Sequence, residues 1–280
     1  MKKEFLKTTL IFLLLALSGF AFSQGATDLK YNFVKGKAFV QNTHITQNIV
    51  QTMGAQEIKI LSEVKAKNEF LVENVENDGS ASILISASDI SVRSSAMGRD
   101  TTMFYKDLKD KVRTKFGNTG KSLSSEKVDS SDVSAIVNQL DLGKLKFLPG
   151  KLVKIGDKWQ DNPVEHKNPT SGNPFTIDIS SEIEYTLSGK EMVNGKEFLK
   201  INYSGNMTIN GKGTQMGMEM FIEGTGKNEG FSYYDSKTGM IVSSDENTEM
   251  NMNIAVSGPQ NMTIPMTQSI KTVTTFEEKK

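Results

Sequence analysis

The sequence predicts an all-β protein made of two tandemly duplicated antiparallel β-meanders, of half-barrel or sandwich type, joined by one short α-helix. Three observations lead to this prediction. Similar segments recur in the same order in the two halves of the chain, apolar and polar residues alternate with a period of two, and glycine-containing turns separate the alternating runs.

The duplication is clearest where Thr119–Gly120 and Thr238–Gly239 each begin a run that ends in two serines and an acidic residue. Three further matches also contain a glycine, and in all four the two glycines are separated by a nearly constant number of residues. The four pairs are Gly36 and Gly156, Gly79 and Gly195, Gly98 and Gly217, and Gly120 and Gly239. We therefore interpret residues 29–127 and 151–276 as two copies of one unit, with residues 128–150 as the linker.

Each copy shows the alternation that is typical of half-buried strands. In the second copy the apolar positions are Leu199, Ile201, Tyr203, Met207 and Ile209, and in the first copy they are Ile83, Ile85 and Ala87. The steps Asp78–Gly79 and Asn194–Gly195 favour tight hairpins, because these residues accept positive φ angles. Each copy is therefore predicted to be an antiparallel meander with one apolar face.

The linker has a different period. Its apolar residues recur at the spacing of one helix face, with a serine that could cap the start and a glycine that could end the helix. These positions are Ser130 or Ser131, then Val133, Ile136, Val137 and Leu140, and finally Gly143. Beyond the linker, the segment from Pro163 to Pro174 is predicted to be a long polar loop.

The first 23 residues have the three parts of a secretory signal peptide. Lysines precede an apolar run from Leu10 to Leu17, and Ala21–Ser23 offers small residues for cleavage. An uncleaved membrane anchor is the alternative, but the apolar stretch is shorter than the roughly 20 residues that a span needs. We predict an exported protein, periplasmic or extracellular, with no transmembrane span after cleavage.

Composition narrows the function classes. The chain has 33 basic and 33 acidic residues and no long basic block, so we expect no nucleic-acid partner. It has no cysteine, which excludes disulfides, thiolate metal sites and cysteine nucleophiles. The acidic run from Asp245 to Glu249 lacks the ligand spacing of a calcium loop and predicts a solvated strand end.

Only two histidines are available for acid–base chemistry, and no catalytic motif accompanies them. His44 lies in a strand-like run and is interpreted as a solvated or hydrogen-bonded strand residue. His166 lies beside Glu165 in the polar loop, where a solvated position explains it as well as proton transfer or cation binding does. We therefore predict that the protein is not an enzyme and needs no cofactor or metal.

Methionines recur at even spacing in the second copy and form the candidate ligand-binding face. They are Met207, Met216, Met218, Met220, Met250, Met252, Met262 and Met266. Three interpretations are open: the thioethers fill the apolar side of the sheet, they hold Cu(I), or they line a surface that adapts to an apolar partner.

Two segments carry a resemblance to known proteins. The run from Phe147 to Trp159, and Tyr31 to Lys37 before it, resemble a family of exported proteins of Bacteroidota-type bacteria. That family has no established activity, so the resemblance implies compartment and fold only. The architecture alone is similar, more weakly, to bacterial carriers of lipids or lipoproteins whose curved β-sheet cups a lipid tail.

These observations favour a non-catalytic exported binding or carrier protein in the cell envelope. Its expected partner is a lipid or another hydrophobic ligand, or a hydrophobic segment of a protein. The alternative is a structural or protein-interaction module of the envelope with no ligand cavity, whose partner is an envelope protein.

Overall fold

The computed structural model describes residues 25–106, 108, 110–129, 143–169, 175–215, 217–258 and 261–279. Within them the chain forms fifteen strands. These are β1 (Thr27–Leu29), β2 (Ala38–Met53), β3 (Gln56–Val75), β4 (Ala81–Ala96), β5 (Arg99–Tyr105), β6 (Lys111–Phe116), β7 (Ser122–Asp129), β8 (Lys151–Val153), β9 (Lys158–Asp161), β10 (Val164–Lys167), β11 (Phe175–Val193), β12 (Lys196–Gln215), β13 (Met218–Asp235), β14 (Met240–Ser257) and β15 (Met262–Glu278).

Thirteen of these strands form one antiparallel sheet, and β1 and β8 pair separately with each other. The main path runs β10-β11-β12-β13-β14-β15-β2-β3-β4-β6-β7, with β9 also beside β11 and β5 also beside β4. From β2 to β5, from β6 to β7 and from β10 to β15, strands that follow one another in the chain are neighbours in the sheet. The predicted fold class, an all-β protein with repeated antiparallel meanders, is therefore confirmed.

The two meanders have corresponding strands. The turn at Gly79 joins β3 to β4, and the turn at Gly195 joins β11 to β12. Each half contains one interrupted strand. In the first half β5 and β6 both pair with β4, where the second half has the single strand β13. In the second half β9 and β10 both pair with β11, where the first half has the single strand β2.

The paired turns have matching backbone geometry. Gly120 has a φ of 82° and Gly239 a φ of 70°, a left-handed conformation that residues with a Cβ rarely adopt. The space around these two glycines is also tight, because the Tyr31 ring lies over the first and Asn32 over the second. Both turns are thus fixed by conformation and by packing.

The largest core cluster lies where the β1–β8 pair covers the apolar face of the sheet. Leu29 and Leu148 are fully buried there, and Val153 is almost so. The Tyr31 and Asn32 amides donate to carbonyls of Asn118 and Gly239, which belong to the two corresponding turns. The N-terminal segments of the two halves therefore close the core against both meanders.

Alternation within the strands follows the prediction. Leu199, Ile201 and Tyr203 are buried on one face of β12, and Ile83 and Ala87 are buried on one face of β4. Polar residues between them lie on the opposite, solvent-facing side. We call these the inner and outer faces of the sheet.

The structure bears differently on the predicted loop, the predicted signal peptide and the predicted helix. Residues 164–167 form the strand β10, so the predicted loop from Pro163 to Pro174 is wrong there: main-chain pairing with β11 outweighs the polar composition. The predicted signal peptide and the helix at 130–142 lie outside the described residues. The described residues contain no helix that is long and apolar enough to cross a membrane.

Candidate functional site

Four of the predicted methionines come together on the inner face of the second half. Met252 is buried, and Met207, Met250 and Met266 pack around it with Ile209 and other apolar residues. They come from three strands, β12, β14 and β15, on either side of β13 and next to one another in the sheet, so the register brings together positions that are far apart in sequence. We call this cluster the methionine surface.

Glycines on β13 make room for these side chains. A Cβ at Gly224 would lie 2.5 Å from Cγ of Met252, and one at Gly226 would lie 2.9 Å from Cγ of both Met207 and Met250. The methionines therefore lie across a strip of β13 that has no side chains of its own. Flexible thioether chains are suited to filling such gaps.

The remaining methionines are placed differently. Met218 and Met220 are partly buried on the inner face of β13, and Met262 is 41% exposed on β15. Met216 lies outside the described residues. A role of the methionine surface in ligand or Cu(I) binding stays a prediction, because packing over the glycines accounts for its geometry.

A groove crosses the outer face of the first half and has a volume of about 630 Å³. Two cross-strand rows of side chains form its walls, and the backbone of the buried residues between them forms its floor. One row is Val273, His44, Lys65, Ser91 and Phe104, the other is Thr275, Asn42, Lys67, Asp89 and Lys106, and the floor is Thr43, Ala66, Ile90 and Tyr105. We call it the lysine groove.

The lining of the lysine groove is mostly apolar, although many of its residues are polar. Phe104 is 69% exposed at one end, and Val273 stands at the other. Lysine side chains contribute their methylene stems to such walls and keep the ammonium group in water. The groove thus combines a hydrocarbon-like interior with a charged rim.

Ion pairs organise part of that rim. Glu63 accepts hydrogen bonds from Lys65, with an Nζ–Oε1 distance of 3.0 Å, and from His44 Nε2 at 2.8 Å. These two bonds lower the pKa of the Glu63 carboxyl. His44 is therefore a hydrogen-bonded strand residue on the outer face, as the sequence predicted.

Two further grooves cross the outer face of the second half, with volumes of about 540 and 390 Å³. They share Glu184, Ser204 and Glu229, so they form one continuous polar surface. Carboxylates and amides dominate the lining, and Glu184 pairs with Lys158 at 2.7 Å. We call this surface the carboxylate groove.

A buried charge cluster lies on the inner face of the second half, where Lys146 reaches it from the segment before β8. Lys146 forms an ion pair with Glu246, which also accepts hydrogen bonds from the Tyr203 hydroxyl at 3.0 Å and the Asn228 amide at 2.8 Å. Burial would raise the pKa of Glu246, but Lys146 and the two hydrogen bonds together lower it. The ammonium of Lys146 also lies 4.9 Å from the centre of the Tyr203 ring.

Two sequence-based interpretations change at these positions. The run that contains Glu246 is not a solvated strand end: it lies inside β14, and the Glu246 side chain is only 18% exposed. His166 lies in β10 and pairs with Asp178 at 2.5 Å, while Glu165 pairs with Lys144. His166 and Glu165 therefore have different ion-pair partners and do not form one cluster. Among the described residues, no group of three or more His, Asp or Glu could hold a metal ion.

Sequence reasoning missed both grooves. Their walls come from outer-face residues of four or five strands, and only the register shows which residues stand side by side. The available signal was the charge of the outer positions, which is basic around Lys65 and Lys67 and acidic around Glu182 and Glu184.

No protein family model and no curated protein sequence matches the chain. Among solved structures it is similar to the hypothetical lipoprotein YmcC of Escherichia coli K12, at 12% identity over 84% of this chain and 86% of that one, with a TM-score of 0.27. It is also similar to an outer membrane channel of Pseudomonas putida F1, at 8% identity over 90% and 98% of the two chains, with a TM-score of 0.23. A third similar structure is OccK7 of Pseudomonas aeruginosa, at 7% identity over 88% of this chain and 100% of that one, with a TM-score of 0.24. Because these TM-scores are below 0.5, the similarities carry no argument about function, and the resemblance to a family of exported proteins stays a prediction.

Proposed function

We propose that the protein is a non-catalytic binding or carrier module for an apolar ligand in the cell envelope, and that the ligand lies in the lysine groove. The observation that carries this proposal is the size and lining of that groove. Its volume of about 630 Å³ falls in the range of small-molecule sites, roughly 300–1,000 Å³.

The position of Phe104 supports the same proposal. Its ring is 69% exposed at the end of the groove, where Phe104 lies opposite Ser91 in the β4–β5 register. A large exposed aromatic side chain next to an apolar groove gains free energy when a hydrocarbon ligand covers it. The export signal that the sequence predicts supports a role in the envelope.

Lipid that co-purifies with the protein tests the proposal. Protein purified from its native host should release an apolar compound that mass spectrometry of the extract detects. Phe104→Asp should remove that compound and leave the free energy of unfolding unchanged within about 0.5 kcal/mol, because the ring is exposed. Leu61→Asp is the matched control, since Leu61 is 53% exposed on the outer face of β3 and does not line the groove. A clean extract from folded native protein would contradict the proposal.

The edge strand β7 favours a second candidate, a protein-interaction module. All eight of its residues are exposed, including Leu123 and Val128, and among the described strands it pairs with β6 only. Such an edge can add a strand from a partner. Capture of an envelope protein that is lost in Ser125→Pro, together with a clean lipid extract, would favour this candidate over the carrier.

A further inference from the structure

We propose that the ligand of the lysine groove is an anionic amphiphile, a single hydrocarbon chain that ends in a carboxylate or phosphate, with its head group bound by the ammonium groups of Lys67 and Lys106. This inference rests on the proposed function and names the chemical class of the ligand. It follows from the charges on the groove wall and from which of them are already neutralised.

Among the described residues, four basic side chains and one carboxylate line the groove. The basic residues are His44, Lys65, Lys67 and Lys106, and the carboxylate is Asp89. Glu63, which stands outside the groove, already holds His44 and Lys65. Both basic side chains at that part of the wall therefore already have a carboxylate partner.

Lys67 and Lys106 are in a different state. Among the described residues neither ammonium group has an ion pair or hydrogen bond. Asp89 lies opposite Lys67 in the β3–β4 register and is the only carboxylate among the described lining residues, so Lys67, Lys106 and Asp89 together carry one excess positive charge. An anionic oxygen is the group that complements it.

The length of the apolar part of the groove indicates the shape of the hydrocarbon part of the ligand. The groove crosses five neighbouring strands, which spans about 19 Å at a strand spacing of roughly 4.8 Å. A narrow path of that length suits one extended chain. Val273 and Thr275 line the far end, on β15, and both are uncharged.

The carboxylate groove gives an internal contrast. Its described lining contains four carboxylates but only one lysine, Lys227; the carboxylates are Glu182, Glu184, Glu229 and Asp245. An anionic head group would be repelled there, so the same ligand should prefer the first half of the molecule.

Binding of four ligands with the same ten-carbon chain tests the inference. The full protein without its signal peptide is titrated with decanoate, decyl phosphate, decanol and decyltrimethylammonium, and affinity is followed by isothermal calorimetry. We expect decanoate and decyl phosphate to bind about tenfold more tightly than decanol. Added salt should reduce this preference. The comparison of decanoate with decyl phosphate shows which oxyanion is preferred.

A double variant tests the location of the head group. Lys67→Gln with Lys106→Gln should weaken decanoate to the level of decanol and leave decanol unchanged. Lys59→Gln with Lys227→Gln removes two lysines outside the groove and should change neither affinity. Because all four lysines lie at the surface, circular dichroism should show the same fold throughout.

The outcomes separate the two proposals. Equal binding of decanoate and decanol by the unaltered protein would overturn the anionic head group and leave the apolar groove standing. Tightest binding of decyltrimethylammonium would also overturn it. Failure of all four ligands to bind would overturn both this inference and the proposed carrier function.

Discussion

The lysine groove and the carboxylate groove cross corresponding strands of the two meanders, yet they present opposite charges. Lys65 on β3 and Glu184 on β11 both stand on the outer face, where neither supports the core. The inner faces of the same strands stay apolar, with Ala66 and Tyr185 both buried. Outer positions of a duplicated sheet are therefore free to acquire different binding properties, because packing constrains only the inner ones.

A second comparison concerns β7 and β14, which follow the corresponding turns at Gly120 and Gly239. All of β7 is exposed, whereas Met240 and Ile241 of β14 belong to the main core. The difference arises because β15 and then β2 continue the sheet beyond β14, while β7 is at the edge. Similar sequences thus take different environments according to what stands beside them.

The largest predicted effect tests whether the two halves use their turns alike. Gly120→Ala and Gly239→Ala should each lower the free energy of unfolding by about 3 kcal/mol. The left-handed backbone strains an alanine, and the new Cβ would lie 2.6 Å from the Tyr31 ring at position 120 and 2.4 Å from Cβ of Asn32 at position 239. Urea denaturation measures both changes.

Gly98→Ala and Gly217→Ala are the matched controls. Both glycines have positive φ, but a Cβ at either would meet no atom within 4 Å. Each should therefore cost only about 1 kcal/mol. A large loss at one position of a corresponding pair and a small loss at the other would show that the halves do not share their turn packing.

An intermediate effect is expected at the buried charge cluster. Glu246→Gln should lower the free energy of unfolding by about 2 kcal/mol at neutral pH, because Lys146 loses its counter-charge but can still reach water. Glu249→Gln, on the exposed side of the same strand, should change it by less than about 0.5 kcal/mol.

The pH dependence of this difference follows from the lowered pKa of Glu246. A carboxyl whose pKa is lower in the folded state contributes its full stabilisation above the pKa of the unfolded chain, about 4.3, and loses it as the pH falls through the folded value. The difference between the unaltered protein and Glu246→Gln should stay constant from about pH 8 to about pH 5 and shrink below about pH 4. A difference that grows on acidification would contradict the assigned ion pair.

The smallest effect sharpens the comparison of the two strands. Leu123→Ala on β7 should change the free energy of unfolding by less than about 0.5 kcal/mol, since the side chain is 58% exposed. Ile241→Ala on β14 should cost about 2 to 4 kcal/mol, because its side chain is only 4% exposed. Thermal or urea unfolding of both variants checks the contrast, and similar losses would mean that β7 is covered in solution.

Much of the architecture could be predicted from local patterns. Period-two alternation identified the inner faces of β4 and β12, and the glycine pairs identified corresponding turns, because both depend on residues close together in sequence. The strand β10 was mistaken for a loop, since its four residues are polar and only pairing with β11 makes them a strand. The methionine positions were found, but the glycines that receive them belong to a different strand.

The sequence by itself determined the fold class, the duplication and the absence of disulfides, because alternation, turn chemistry and composition act locally. The tertiary structure decided the rest. It joined the two meanders through β15 and β2, buried Glu246 against Lys146, and lined up Lys67 and Lys106 along one groove. These outcomes depend on the register between strands that are distant in the chain. A one-residue shift in that register would move every side chain of the strand to the opposite face.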